Sequence, residues 1–337
     1  MSMNALVRAF EGAPVPDPIR RAVVEMLVAG ARRRLMAPGT DGDAFAAAMA
    51  PCPIAETPEA ANAQHYELPP AFFVPVLGPR MKYSCCLYGQ GVAHLAEAET
   101  HALAETCAHA DLADGQDILE LGCGWGSLSL WMAERYPAAR ILAVSNSAPQ
   151  RAFIEARASA LGLANLRVAT ADMNSFDVGC RFDRVVSVEM FEHMANWWAL
   201  LARARGWLKP DGRLFIHVFS HRSACYRFNG ADDWVGRYFF TGGVMPSHGL
   251  IRQFADLVTV EGEWRWNGEH YRRTAEAWLA NYDHNFQRIW PVLQEVYGED
   301  ARLWARRWRL FFLAVAGLFG HQGGLHWGVS HYRLKAA

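Results

Sequence analysis

The chain has 337 residues, of which 52% are hydrophobic and 20% are charged, and its formal net charge at pH 7 is -1. This balance gives no general attraction to nucleic acid or to an anionic surface, so we expect no nucleic-acid partner. The 7 cysteines are odd in number and contain no C-x-x-C pair, which argues against a disulfide framework and a zinc ribbon and favours a cytoplasmic location.

Residues 1–64 are predicted to form a helical N-terminal region. An amphipathic pattern predicts a helix over 19–36, and an alanine-rich stretch predicts a shorter helix over 43–49. Prolines interrupt the region repeatedly and divide it into short pieces. The composition of the region indicates no chemistry of its own.

Residues 65–337 are predicted to form the main domain, in which strands and helices alternate and favour a parallel sheet covered on both faces. The predicted helices cover 93–110, 127–136, 149–161, 197–207, 273–297 and 300–319. The predicted strands cover 118–121, 140–145, 166–170, 182–188, 212–219, 258–266 and 326–334. The stretch 220–257 breaks the alternation and is predicted to be an insertion that acts as a lid. The strongly apolar run 310–319 is about half of the ~20 residues that a bilayer requires, so we predict no transmembrane segment.

The most informative stretch is 118–126, which reads Ile-Leu-Glu-Leu-Gly-Cys-Gly-Trp-Gly. It combines a short buried strand with Gly122, Gly124 and Gly126, and a helix follows directly. Such a turn lets a ligand lie against bare backbone at a helix N-terminus, as in nucleotide-binding α/β folds. The alternative is a tight connection between strand and helix that binds nothing.

The surrounding residues favour S-adenosylmethionine over a nicotinamide dinucleotide. A dinucleotide site usually has an acidic residue ≈ 20 positions after the glycines, where this chain has Val-Ser-Asn-Ser at 144–147. Glu120 in the first strand can instead lie near the amino and sulfonium end of S-adenosylmethionine. Asp172 follows the third strand, where its carboxylate either accepts the adenine amino group or caps a helix.

Several motifs resemble the cyclopropane fatty acid synthase superfamily, and within it the coclaurine N-methyltransferase branch of plants. They are Gln-His-Tyr-Glu-Leu-Pro at 64–69, Lys-Tyr-Ser-Cys-Cys at 82–86, Leu-Gly-Cys-Gly-Trp-Gly-Ser-Leu at 121–128, Ser-Val-Glu-Met-Phe-Glu-His-Met at 187–194 and Arg-Tyr-Phe-Phe-Thr-Gly-Gly-Val-Met-Pro-Ser at 237–247. The resemblance extends from about residue 64 to the end of the chain.

This resemblance implies a class I methyltransferase of Rossmann-like α/β fold, with a mixed seven-stranded sheet and S-adenosylmethionine as methyl donor. The residues that it assigns to the cofactor, beside Glu120, are Tyr83, Ser84, Gly122, Gly124, Gly126, Asn146, Gln150, Asp172 and Met173. It implies a small-molecule amine as acceptor and leaves a homodimer open. We expect no metal site, because His321, His326 and His331 lie five residues apart and alternate between the faces of a strand. The N-terminal region is then expected to cover the acceptor pocket.

Glu189, Glu192 and His193 directly follow the fourth strand, whose carboxyl end faces the ligand crevice of an open α/β sheet. If this segment is helical, Glu189 and His193 lie four residues apart on one face, and the carboxylate can orient the imidazole as a base. The alternative is that Glu189 caps a helix and His193 is a buried structural histidine. The resemblance assigns all three to substrate binding and deprotonation.

Two other functions remain open from the sequence. In the fatty acid synthases an alkene of an unsaturated lipid attacks the methyl group, and bicarbonate is held by positions that match Cys85, Glu192, His217 and Tyr271. Those enzymes have Gly where this chain has Glu189, and a second carboxylate suits a cationic amine better than a hydrocarbon. A protein that binds S-adenosylmethionine without catalysis is the third hypothesis.

Overall fold

The computed structural model describes Glu11 and residues 15–35, 42–56, 68–228 and 233–337. Residues 64–67 of the first family motif, and Met36 at the end of the first predicted helix, lie outside the described residues. The same holds for much of the predicted N-terminal region 1–64.

Helices and strands alternate through the main domain as predicted. In the described part of the chain the helices are α1 (Asp17–Leu35), α2 (Gly42–Met49), α3 (Pro70–Phe73), α4 (Leu95–His109), α5 (Ser127–Arg135), α6 (Ala148–Ala160), α7 (Trp197–Gly206), α8 (Trp234–Tyr238), α9 (Gly268–His284), α10 (Phe286–Tyr297) and α11 (Ala301–Gly320). The strands are β1 (Asp117–Leu121), β2 (Arg140–Ser145), β3 (Leu166–Thr170), β4 (Phe182–Val188), β5 (Leu208–His221), β6 (Tyr226–Arg227), β7 (Val244–Met245), β8 (Val258–Asn267) and β9 (Trp327–Ala336).

Seven of these strands form one mixed sheet in the order β3-β2-β1-β4-β5-β9-β8. Strands β1 to β5 run parallel, whereas β9 pairs antiparallel with both β5 and β8. In the central strand β1 the side chains of Ile118, Leu119 and Leu121 are fully buried, as expected where helices cover both faces of a parallel sheet. The predicted fold class is therefore confirmed.

The strand order reverses at β1, because β2 and β3 lie on one side of it and β4 and β5 on the other. In an open α/β sheet, ligands bind in the crevice outside the carboxyl ends of the strands at such a reversal. Gly122 directly follows β1 and Glu189 directly follows β4. The fold therefore brings the two predicted halves of the site to one crevice.

The predicted helix over 273–297 is wrong in its extent, because the structure has two helices that meet at Asn285. The Asn285 side chain donates to the carbonyl oxygens of Pro75 and Asn281, and this contact with the distant Pro75 holds the break. The first of the two helices, α9, also begins earlier than predicted, since the Asn267 side chain accepts a hydrogen bond from the Glu269 amide and caps it.

The predicted insertion 220–257 is more ordered than a loop. Its strands β6 and β7 pair with each other, and α8 lies between them in the chain. Phe239 is fully buried and stacks on Phe311 of α11, with ring centroids 4.3 Å apart. Much of the segment is thus part of the hydrophobic core, and its movement as a lid stays a prediction.

The N-terminal helix α1 packs on the main domain. The Arg309 guanidinium binds Asp17 of α1 at 2.7 Å and Asp283 of α9 at 2.8 Å, so it links three helices. Over the described ranges, no helix combines the length and apolarity that crossing a membrane requires.

Candidate active site

The glycine turn after β1 adopts backbone conformations that favour glycine. Gly122, Gly124 and Gly126 have φ angles of 78°, 51° and 80°. A Cβ on Gly124 would meet no heavy atom within 4 Å, so this residue leaves open backbone beside two clefts. A Cβ on Gly126 would lie 2.6 Å from the Ile154 side chain. Gly126 therefore allows α5 and α6 to pack closely, and it lines neither cleft, unlike the other predicted cofactor residues.

The first cleft lies on the β2 and β3 side of the turn. With Gly122 and Gly124, it is lined by Asn146, Gln150, Asp172 and Met173, all of which were predicted. The Gln150 side chain is buried, and its Oε1 accepts a hydrogen bond of 2.7 Å from the Ser145 hydroxyl. Its Nε2 is buried and has no partner among the described residues, which costs free energy unless a ligand accepts its hydrogen bond. A ribose hydroxyl fits this requirement.

Asp172 lies in a turn after β3 and not at the start of a helix, so the helix-cap alternative is wrong and the adenine contact stays a prediction. One carboxylate oxygen accepts a hydrogen bond of 2.9 Å from the Asn174 amide and so stabilises the turn after β3. The residue also lines the first cleft, where its carboxylate can accept the adenine amino group.

The second cleft lies on the other side of the glycine turn. It is lined by Tyr83, Ser84 and Glu120 together with Gly122 and Gly124. Burial raises the pKa of Glu120 to about 7, while a hydrogen bond from the Ser129 hydroxyl acts in the opposite direction. A cationic ligand end beside this carboxylate would favour its ionised form. The two clefts together match the polar groups of S-adenosylmethionine, which would supply an activated methyl group when bound.

Lys82 also lines the second cleft and is a site residue that was not predicted from the sequence. Its side chain is buried and donates a hydrogen bond to the Ser84 hydroxyl. Its position beside Tyr83 and Ser84 in the motif at 82–86 was the available signal.

Glu189 lies where the three cavities of the site meet, since it lines both clefts and a third cavity described below. Its carboxylate accepts hydrogen bonds from the Cys85 amide at 2.9 Å and the Tyr271 hydroxyl at 2.7 Å, and it lies 3.2 Å from His217 Nε2. Burial raises the pKa of Glu189, while the charge of Lys82 and these hydrogen bonds partly offset the increase.

The helical geometry proposed for Glu189 and His193 is wrong. Residues 191–193 form a single 3₁₀ turn, and Glu189 has a left-handed φ of 46° outside it. The (i, i+4) geometry of a helix is therefore absent, and the Glu189 carboxylate contacts the Cys85 amide, His217 and Tyr271, which belong to other elements. The tertiary contacts of the carboxylate, rather than helix geometry, orient this segment.

The third cavity has a volume of about 840 Å³ and lies on the far side of Glu189 from the glycine turn. A volume of roughly 300 to 1,000 Å³ is typical of sites for small organic ligands. Most of its wall is apolar, and its ionisable residues are Glu189, Glu192 and His193 beside Arg20, Arg34, Arg227, Asp233 and the tyrosines Tyr83, Tyr226 and Tyr271. His193 and Glu189 also line the first cleft, so they border both cavities.

Glu192 is fully buried, and no described side chain donates a hydrogen bond to its carboxylate, although the backbone N–H groups of Glu192 and Phe219 act to lower its pKa. Burial, followed by the charge of Glu189, raises the pKa of Glu192 well above its ordinary value. A buried carboxylate without a side-chain partner is costly, so this residue favours a cationic or hydrogen-bond-donating ligand.

Of the four residues that would hold bicarbonate, three contact the Glu189 side chain instead. The Cys85 amide, His217 and Tyr271 all contact the Glu189 carboxylate. A bicarbonate ion would have to displace this carboxylate, and the two negative charges would repel each other. The Glu189 side chain thus occupies the anion position that the family resemblance implies.

The topology, the glycine turn and the two clefts define a class I S-adenosylmethionine-dependent methyltransferase. Residues 55–323 match the family model described as mycolic acid cyclopropane synthetase, and the chain belongs to this family. S-adenosylmethionine is accordingly its cofactor.

The relatives include both chemistries of the family. The chain is 35% identical to (S)-coclaurine N-methyltransferase of Thalictrum flavum subsp. glaucum, over 84% of this chain and 80% of that protein. It is 31% identical to the cyclopropane-fatty-acyl-phospholipid synthase of Escherichia coli strain K12, over 76% of this chain and 63% of that protein. Its fold matches the crystal structure of coclaurine N-methyltransferase bound to N-methylheliamine and SAH with a TM-score of 0.94, at 31% identity and 99% coverage of both chains.

Proposed function

We propose that the chain transfers the methyl group of S-adenosylmethionine to an amine nitrogen of a small, largely apolar molecule. The observation that carries this proposal is Glu192, a fully buried carboxylate to which no described side chain donates a hydrogen bond, in the wall of a cavity that is mostly apolar. An ammonium group would supply the missing charge and hydrogen bonds, whereas a hydrocarbon chain would leave the carboxylate unpaired.

The acceptor nitrogen must lose a proton before it can react. An amine with an unperturbed pKa near ~10 is mostly protonated at neutral pH and then has no free lone pair. Glu189 borders both the cofactor clefts and the acceptor cavity, and its raised pKa makes it a stronger base than an ordinary carboxylate. We therefore propose Glu189 as the proton acceptor and Glu192 as the group that holds the ammonium.

His193, the base proposed from the sequence, stays the second candidate for proton removal. Its ring borders the same two cavities and lies 4.4 Å from the Phe240 ring, centroid to centroid. Glu189→Gln and His193→Gln separate the two assignments. The base variant should lower kcat by about 10² or more, while loss of a binding group should act mainly on KM.

The proposed function is tested by methyl transfer from labelled S-adenosylmethionine to two acceptor panels. One panel contains secondary and tertiary benzylic amines, and the other contains vesicles of unsaturated phospholipid. Label in the amines supports the proposal. Label only in the lipid would establish the fatty-acyl alternative, and cofactor binding without label in either panel would support a non-catalytic protein.

A further inference from the structure

Three buried histidines form a continuous row that begins at the active site. His217 Nε2 lies 3.2 Å from the Glu189 carboxylate, and its Nδ1 lies 2.8 Å from His331 Nε2. His331 Nδ1 lies 2.8 Å from His109 Nδ1. His109 Nε2 lies 3.0 Å from Glu105, whose side chain is 45% exposed. The row thus joins a buried catalytic carboxylate to a carboxylate at the protein surface.

The fold itself holds this row together. His217 of β5 and His331 of β9 are direct partners in the antiparallel register, so their side chains leave the sheet on the same face. His109 lies in the last turn of α4, and Glu105 precedes it by one helical turn. The His109 ring also stacks on the Trp264 ring at 3.9 Å between centroids, which fixes its plane.

Each of the three rings uses both nitrogens. One nitrogen contacts the next member of the row on the Glu189 side, and the other contacts the next member on the Glu105 side. Three neutral imidazoles carry one N–H each, but the row contains the four links just described. One further proton is therefore needed for all four links to be hydrogen bonds. If that proton enters at Glu189 and every link shifts by one position, a proton appears on Glu105 and no ring keeps a charge.

The surroundings oppose a proton that stops on a ring. Burial lowers the pKa of His217 and His331 well below the ordinary value, and the charge of Lys82 lowers both further. Burial also lowers the pKa of His109, where Arg333 acts in the same direction and Glu105 acts against it. All three rings therefore stay neutral near pH 7 and can pass a proton without retaining it.

Methylation of a protonated amine releases one proton per turnover. The N–H bond of the ammonium breaks, and its proton goes to Glu189. The nitrogen lone pair then forms the N–C bond, while the electrons of the broken C–S bond remain on sulfur, which becomes a neutral thioether. Glu189 must lose its proton before the next turnover, yet its side chain is only 10% exposed.

We propose that His217, His331 and His109 conduct the proton released by methyl transfer from Glu189 to Glu105 and from there to water. This inference rests on the proposed function, because it requires a reaction that delivers a proton to Glu189. The same histidines could otherwise serve only as a buried hydrogen-bonded cluster, so the test needs readouts that a structural role would not change.

The test uses the full chain with His109→Gln and Glu105→Gln. Both variants replace a proton carrier with an amide, which does not relay protons in this way, and Glu105→Gln does so at an exposed position. His101→Gln is the matched control, since His101 is an exposed histidine of the same helix. We expect kcat of His109→Gln to fall about tenfold at pH 7 with KM for the amine within roughly twofold. The solvent deuterium isotope effect on kcat should increase, and added imidazole buffer should restore part of the rate.

Glu105→Gln should change kcat and the isotope effect in the same direction by a smaller factor, since water can replace an exposed carboxylate. Thermal melting and cofactor affinity check that each variant is folded. Variants whose kcat, isotope effect and imidazole response equal those of wild type and His101→Gln would overturn the path. Failure of the proposed function looks different: wild type itself then methylates no amine, which removes the proton that the path would carry.

Discussion

The two sides of Glu189 are built in different ways. The cofactor clefts are lined mainly by the turns at the ends of β1 to β4, together with the stretch 81–84. The acceptor cavity is instead enclosed by α1, residues 226–228 and 233–240, α9 and α11, which are distant in the chain. The cofactor side is therefore a property of the sheet, whereas the acceptor side depends on how helices pack. Substitutions on the two sides should accordingly separate cofactor binding from acceptor choice.

The largest effect on kcat is expected from substitution of Glu189, which lies between the two sides. Glu189→Gly removes the carboxylate and suits the positive φ of 46°, so we expect a folded protein whose kcat is about 10² to 10⁴ lower. The Cys85 amide, His217 and Tyr271 would then be free to bind a small anion. Added formate or bicarbonate should therefore restore part of kcat in the variant and leave wild type unchanged. A variant with wild-type kcat would exclude Glu189 from the chemistry.

Glu192→Gln should affect the acceptor side alone. Loss of a charged hydrogen-bond partner should raise KM for the amine about 10-fold to 100-fold and leave cofactor affinity nearly unchanged. Titration calorimetry with each ligand, beside steady-state kinetics, measures both effects. Equal losses for the two ligands would contradict the separation of the two sides.

The same variant gives a test of stability against pH. Because the pKa of Glu192 is raised in the folded protein, folding favours its protonated form. The ligand-free wild type should therefore lose stability as pH rises above the ordinary carboxyl pKa of ~4.3 toward the raised folded value. Glu192→Gln removes this contribution, so its advantage in melting temperature should be larger at pH 8 than at pH 5. An advantage that is constant with pH would mean that Glu192 is not a buried, unpaired carboxylate.

Gln150→Leu is the corresponding change on the cofactor side. It removes the buried Nε2 donor that has no partner in the described chain, so we expect KM for S-adenosylmethionine to rise about tenfold. At saturating cofactor, kcat and KM for the amine should stay close to wild type. A change in acceptor preference would show that the two sides are coupled.

The smallest effect is expected from the N-terminal helix. Val28 of α1 is buried and lines the acceptor cavity, so Val28→Phe should lower kcat/KM for bulky amines by roughly fivefold and leave cofactor affinity unchanged. Met26→Phe is the matched control, because Met26 is 53% exposed on the same helix. If the two variants have equal kcat/KM for bulky amines, α1 does not take part in acceptor selection.

Local sequence was sufficient to predict many of the helices, strands and turns of this molecule. The strand, the glycine turn and the helix over 117–135 follow from hydrophobic spacing and from the positive φ that glycine permits. The same holds for the alternation that predicts the parallel strands, since each helix and strand is specified by its own residues. Gln150 was found only through the family motifs, because an amide in the first turn of a helix gives no signal by spacing alone.

Other features were decided by the tertiary structure. The Glu189 carboxylate contacts groups from β5, α9 and the segment before α4, and no local rule anticipates such contacts. The histidine row joins residues 114 and 222 positions apart in the chain, which only the pairing of β5 with β9 and the packing of α4 bring together. Sequence alone thus predicted the methyltransferase class and the glycine turn after β1, since both depend on continuous motifs and short-range backbone geometry. The acceptor cavity, the environment of Glu192 and the row from Glu189 to Glu105 depend on burial and long-range packing, which exist only once the chain has folded.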